Sequence, residues 1–175
     1  MTNEEIKQLH KFIWESNAIE NVKTQEAFDD SLSAWRYILT QIDFFRDVSI
    51  PAILRVHSEV MRRLDPNIAG HFREVNVTVG GEKMIEHENV LNRMENWVKL
   101  YSNIPTFGRA DTKEGKEVIA GHIKKAHIAF EKIHPFKDGN GRVGRLILNW
   151  QRVVRDLPIL IIEEKKKEKY YGWFK

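Results

Sequence analysis

The chain contains no cysteine. That excludes a disulfide framework and thiolate chemistry, fits a reducing compartment, and sets the expectation of a cytoplasmic protein. No apolar run approaches the ~20 residues needed to span a bilayer, so no membrane partner is expected. The opening Met1-Thr2-Asn3-Glu4-Glu5 is acidic and polar, unlike a secretory leader. There is little excess charge of either sign: 28 basic residues face 25 acidic ones. Part of the basic excess is Lys165-Lys166-Lys167, which lies beside Glu163, Glu164 and Glu168 and reads as a solvated face. Nucleic acid is therefore not an expected partner. With no internal repeat and no linker, 175 residues of ordinary globular composition read as one domain over 1–175.

Most of what is present has helical spacing. Thr2 or Asn3 is placed to cap a first helix carrying Ile6, Leu9, Ile13 and Trp14, and Asn21 to end it. Ala27 to Ile42 reads as a second helix on Phe28, Leu32, Trp35, Leu39 and Ile42. A third starts near Pro51 and runs to Leu64, stopped by Asp65-Pro66-Asn67. His57 lies among its apolar residues and reads as a core histidine. Asn89 is placed to cap a helix over Val90 to Tyr101, and Asn103 to Lys113 reads as loop. Glu114 to Ile133 reads as a long, central and largely buried helix. It carries His127, seven residues before His134. That spacing admits a metal pair, but no third ligand accompanies it, so a core or hydrogen-bonding duty is expected.

One stretch breaks the pattern. Val75, Val77 and Val79 alternate with Asn76 and Thr78, which predicts a half-buried strand. Gly80-Gly81 reads as a tight turn, and Glu82 to Ile85 as a short return strand. A lone hairpin is marginal in water and must lean on helices. Periodicity leaves open whether it is decorative or a flap whose edge pairs with another chain.

The densest chemistry runs from His134 to Arg145: His-Pro-Phe-Lys-Asp-Gly-Asn-Gly-Arg-Val-Gly-Arg. It combines a titratable base, a carboxylate, a glycine turn and two arginines. The turn opens onto a helix with Val143, Ile147, Trp150 and Val154 on an apolar stripe and Pro158 at its close. Unpaired N–H groups and the dipole make such a helix start favourable for an anion. Arg142 and Arg145 oppose that dipole unless an anion sits there too. The set therefore points to chemistry on a polyphosphate. Gly139 to Gly144 also satisfies G-x-G-x-x-G, with Glu163 about twenty residues on, but a helix rather than a strand precedes it. That excludes a dinucleotide fold.

These twelve residues resemble the signature of the Fic family, H-P-F-x-D/E-G-N-G-R-x-x-R, at every fixed position. Ala126-His127 through Phe136, Gly70-His71-Phe72-Arg73 with the valine strand, and Pro158 to Tyr171 extend the similarity over most of the chain. The resemblance implies an all-α, Fic-type helical bundle with one small β-hairpin, a flap over 70–86. It also implies transfer of AMP from ATP to a Ser, Thr or Tyr hydroxyl of a target protein. In that reading His134 is the general base and Asp138 holds Mg²⁺. Gly139, Asn140 and Gly141 cradle phosphate, and Arg142 and Arg145 grip the distal phosphates. Phe136 and Lys137 belong to the nucleotide-binding stretch, Phe136 more as its anchor in the core. Val75, Asn76, Val77, Thr78 and Val79 dock the target.

Gly141 sets the chain apart from Doc-like kinases, which carry lysine there. Ser16-x-x-x-Glu20-Asn21 resembles the family's inhibitory motif, which implies an inhibitory helix over 1–21 whose Glu20 pairs with Arg145. Removal of AMP, self-modification and a homo-oligomer are left open. The alternatives are a non-catalytic ATP-binding module and transfer of another phosphate-linked group.

Overall fold

The computed structural model describes residues 2–44, 47–102 and 112–175. Among them are seven α-helices and one two-stranded antiparallel sheet, the all-α bundle with a small hairpin expected from the sequence. None of these helices is long and apolar enough to cross a membrane.

Helix α1 (Asn3–Ile19) starts at Thr2, whose hydroxyl accepts the Glu5 N–H while the Glu5 carboxylate accepts the Thr2 N–H. This reciprocal cap satisfies two otherwise unpaired donors. The helix ends at Glu20, and Asn21 takes the left-handed conformation (φ 59°) that asparagine tolerates. Helix α2 (Gln25–Phe44) extends two residues beyond each expected end. Helix α3 (Ile50–Met61) is capped by Ser49 with Pro51 in its first turn. It stops three residues short of the expected Leu64 because turns begin at Arg62. Helix α4 (Val90–Tyr101) follows a 3-10 turn at His87–Asn89, and Asn89 makes no side-chain cap bond there. The loop expected at Asn103 to Lys113 falls mostly outside the described residues. Helix α5 (Lys113–Ile133) is capped by Thr112, whose hydroxyl accepts the Gly115 N–H at 3.1 Å. Helix α6 (Asn140–Val153) opens at Gly139. It ends five residues before Pro158, because Asp156 turns left-handed (φ 53°). Helix α7 (Lys167–Tyr171) is a short final turn.

The central helix is α6 rather than α5. Eleven of the fourteen α6 residues are buried, against six of the twenty-one in α5. Helix α6 touches α1, α2, α3 and α5, so every face is covered, whereas α5 packs mainly on α4 and α6 and leaves Val118 about half exposed. Trp35, Ile38, Val56, Val60, Phe130, Val143, Ile147 and Trp150 form one continuous core around α6. Each large apolar side chain sealed this way contributes roughly 1.5–3 kcal/mol. Rigid packing on all sides fixes the start of α6, where the motif's glycines lie.

The hairpin is shorter than expected. Strands β1 (Thr78–Val79) and β2 (Glu82–Lys83) pair Thr78 with Lys83 and Val79 with Glu82 around Gly80 and Gly81, both at positive φ. Residues 75–77, expected as strand, carry no ladder of their own. One further bond runs from the Met84 N–H to the Val77 carbonyl, at 3.1 Å. The ladder stops there because the Val75 and Ile85 carbonyls both accept from the Arg73 side chain. The paired residues are exposed on both faces, so the hairpin leans on the bundle through its base.

Candidate active site

Helix α5 ends at His134 in a left-handed conformation (φ 51°, ψ 62°), with its N–H on the Phe130 carbonyl at 3.1 Å. A non-glycine residue there costs roughly 1–2 kcal/mol, so the surroundings must hold it. They do. The His134 carbonyl accepts the Arg73 Nε–H at 2.8 Å, and the Pro135 carbonyl accepts the Arg73 backbone N–H at 2.9 Å. The His134 imidazole is partly buried. Burial lowers its pKa, a hydrogen bond to the Glu131 backbone pulls it the other way, and the net shift is downward. The ring is therefore neutral at pH 7. A neutral imidazole carries one nitrogen with a lone pair that can accept a proton.

From His134 the chain turns into α6 through a tightly pinned loop. Phe136, counted in advance with the nucleotide-binding residues, is wholly buried. It stacks on His57 at 3.7 Å between ring centres and has no surface to offer a ligand. Asn140 is 3 % exposed, its Oδ1 accepting the Phe136 N–H and its Nδ2 donating to the Phe136 carbonyl, both at 2.9 Å. The Asn140 side chain thus staples the loop, and only its backbone remains for a cradle. The Gly70 N–H donates to His57 Nδ1 at 2.9 Å, so the proton sits on Nε2 and is donated to the Asp138 carbonyl at 3.1 Å. Burial lowers the His57 pKa to about 4, which keeps it neutral in this role. Gly139 (φ 80°) passes so close to Met61 that a Cβ would lie 3.0 Å from its sulfur.

The loop delivers three charged groups to one place. The Asp138 carboxylate is 69 % exposed, with Oδ1 accepting the Gly139 N–H at 2.6 Å and Oδ2 3.6 Å from Arg142 Nη2. Arg142 is buried, yet its Nε and Nη1 have no hydrogen-bond partner among the described residues. Its Nη2 reaches only the weak acceptor Met61 Sδ at 3.2 Å. Unpaired buried donors are costly, and an anion at this helix start would satisfy them.

Arg145 is the opposite case. Nε donates to Ser16 Oγ at 2.9 Å, Nη2 to the Ser16 carbonyl at 2.9 Å and to Glu20 Oε1 at 2.7 Å, and Nη1 to the Tyr170 hydroxyl at 3.3 Å. Burial works against its charge, but Tyr170 and Glu20 outweigh it and the pKa is raised. Glu20 also lies against the first turn of α6: a Cβ on Gly141 would stand 2.2 Å from Glu20 Oε1. Only glycine admits that approach.

A cavity of about 520 Å³ is bounded by Glu20, His134, Gly141, Arg145, the hairpin's Val79 and Tyr171, while Asp138 and Arg142 lie outside its lining. Its size suits a nucleotide-scale ligand. The structure thus brings together His134, Gly141, Arg145, Glu20 and one end of the hairpin. Asn76 instead latches the hairpin base, bonding Glu86 and accepting the His87 N–H at 2.8 Å. Lys137 is exposed. His127 is buried with Nε2 2.9 Å from the Tyr170 hydroxyl, and burial lowers its pKa to about 3. It hydrogen-bonds inside the core.

Three contributors were given no role by the sequence, although Arg73 and Tyr170 lie in stretches that carry the family resemblance. Arg73, Met61 and Tyr170 reach the site across 61, 81 and 25 positions respectively. Among the described residues no cluster of three metal-type side chains occurs. Asp138 is a lone, accessible carboxylate. That fits Mg²⁺, which typically takes one or two carboxylates and fills its shell with water and phosphate oxygens.

Comparison with known proteins follows the same lines. The family model described as Fic/DOC family matches residues 47–151. "Protein adenylyltransferase Fic" of Drosophila erecta is 30 % identical over 145 residues, covering 81 % of this chain and 27 % of the relative. The Aedes aegypti protein of that name is 29 % identical over 133 residues, covering 72 % and 24 %. This chain thus spans about a quarter of the length of those relatives. Among solved structures, a Fic domain containing signaling protein from Bacteroides thetaiotaomicron superposes with a TM-score of 0.77 at 19 % identity, covering 98 % of this chain and 74 % of that one. Residues 134–508 of Fic-1 from C. elegans give 0.73 at 19 %, covering 98 % and 57 %. At those identities the likeness speaks for the fold.

Proposed function

Because the chain belongs to the Fic/DOC family, we propose that it transfers AMP from ATP to a hydroxyl side chain of a target protein and that Glu20 holds this activity in check. The observation that carries the reading is the pairing of two opposite arginines on one helix start. Arg142 keeps buried donors without partners, while Arg145 is saturated from α1. An incoming polyphosphate meets one grip that is open and one that is blocked.

In the proposed reaction the target hydroxyl oxygen bonds to the α-phosphorus as the bond from that phosphorus to the bridging oxygen breaks. The free imidazole nitrogen of His134 takes the hydroxyl proton, and pyrophosphate leaves with the electron pair. The left-handed cap fixes where that nitrogen points. In this reading the Asn140 and Gly141 N–H groups at the start of α6 would donate to phosphate, the Gly139 N–H being held by Asp138 Oδ1, and Arg142 would stabilise charge on the leaving side. Asp138 would hold Mg²⁺, which when bound neutralises phosphate charge. The glycine at 141 leaves room for either phosphate or the Glu20 carboxylate. That exclusion is the basis of the proposed restraint.

The reading is tested with Glu20→Gly, with and without His134→Ala, incubated with Mg-ATP and a lysate and analysed by mass spectrometry. The expected result is an AMP adduct on a hydroxyl side chain with the first variant and none with the double variant. Tight ATP binding without any adduct would make the chain a nucleotide-binding module instead. An adduct of different mass would reassign the transferred group.

A further inference from the structure

Arg73 is 4 % exposed, and among the described residues none of its hydrogen bonds goes to a carboxylate, Glu86 supporting its charge only from beyond bonding distance. Its side chain is spent on backbone carbonyls from three separate stretches. Nε donates to His134 at 2.8 Å, Nη1 to Val75 at 2.9 Å and Nη2 to Ile85 at 2.6 Å. Its own N–H holds Pro135 at 2.9 Å. Burying a guanidinium without an anion is expensive, and burial depresses its pKa. Tying the hairpin base alone would need only the two bonds to Val75 and Ile85. The other two go to the strained cap that carries the imidazole.

We propose that Arg73 is a positioning residue that locks the hairpin and His134 into one frame, so that a hydroxyl presented along the hairpin arrives at the lone pair of the base. This rests on the AMP-transfer reading. Arg73 does not line the cavity and touches no reacting group. It works through the planar spread of its donors, which a lysine ammonium, a single point of charge, does not reproduce. The hairpin's ladder is four residues and its faces are open; the Asn76 latch ties its two arms to each other, and the Arg73 fork is what ties them to the His134 cap. Without the fork, the hairpin and the left-handed cap relax independently, and displacement of about 1 Å between reacting groups costs roughly 10²-fold in rate.

The test compares Arg73→Lys and Arg73→Gln in the Glu20→Gly background. Three quantities are read: turnover in AMP transfer, ATP affinity, and amide hydrogen exchange over residues 75–86 and 134–138. Turnover is expected to fall roughly 10²-fold in both variants, with ATP affinity unchanged and with both segments losing protection together. Gln matters because it removes the buried charge, so it folds even if the Lys variant does not. Full turnover with hairpin protection intact would overturn the proposal. So would a parallel loss of ATP affinity and global stability, since Arg73 would then be a structural residue only. If Glu20→Gly itself transfers nothing, the AMP reading fails. The exchange pattern still decides whether Arg73 couples the two segments.

Discussion

Glu131 offers a stability test that depends on the local electrostatics rather than on any assay of activity. Among the described residues its buried Oε1 has no hydrogen-bond partner, and it lies 3.9 Å from His127 Nε2, too far for a bond. His127 is neutral and supplies no charge. Arg145 is near, but its positive charge is already tied to Glu20, and Glu20 itself repels a second carboxylate. Burial is the largest effect, and it lifts the Glu131 pKa from 4.5 to about 8. The folded protein therefore carries this carboxyl protonated at pH 7, whereas the unfolded chain ionises it. Folding takes up a proton, so stability falls as pH rises between those two values. At about 1.4 kcal/mol per pH unit, the penalty at pH 7 approaches about 3 kcal/mol. Glu131→Gln keeps the shape and removes the titration, but its amide brings donors that lack partners, at a cost of about 1 kcal/mol. The variant is thus expected to be about 2 kcal/mol more stable than the parent at pH 7, or roughly 4–8 °C in Tm. The gain should vanish near pH 5, turn into a loss of up to about 1 kcal/mol in more acid solution, and level off above pH 8. Denaturant unfolding of both proteins at pH 5, 7 and 8.5 measures it. An effect equal at all three values would refute the buried-proton argument.

Removing Glu20 breaks a charge-assisted bond of about 1.5–3 kcal/mol, so Glu20→Gly should raise AMP transfer by about tenfold to hundredfold. A rate within error of the parent would sink the restraint. Because the His134 pKa lies below its usual 6.5, transfer should be flat from pH 7 upward and fall only in acid. A rate already halved at pH 7 would contradict a neutral base. Gly144→Ala places a Cβ 2.2 Å from Glu131 Oε1, 3.1 Å from His127 and 3.2 Å from Phe130, in packing that has little room to shift. It should cost about 1–3 kcal/mol in denaturant unfolding, and an unchanged midpoint would show that the Glu131 side chain swings clear. Chelation of Mg²⁺, or Asp138→Ala, should suppress transfer without lowering the thermal midpoint of the free protein, because that carboxylate is largely in solvent.

The residues alone were enough for anything that depends on short range. Spacing of apolar side chains located every long helix, since a 3.6-residue period reports which face is buried wherever the helix ends up. The glycine turn before Arg142 and Arg145 announced an anion site, since two cations at a helix start conflict with its dipole unless something resolves them. Ser16 and Glu20 were visible through a family pattern. Their placement on Arg145 came from α1 packing across α6, more than a hundred residues away. Ends of elements were less legible. The strand at 75–77 lost its ladder to Arg73, and α6 stopped at a left-handed aspartate that no periodicity encodes. The rank of the helices went the other way from expectation, because burial of α6 comes from four neighbours that its own composition does not name. Phe136 was expected as the anchor of the binding stretch in the core, but its partner there, His57 stacked against it from α3, was not legible in the sequence. Tertiary packing alone decided which side chains of the motif face the cavity and which hold the loop. Those two duties call for the same residue types, and only the position of the partner tells them apart.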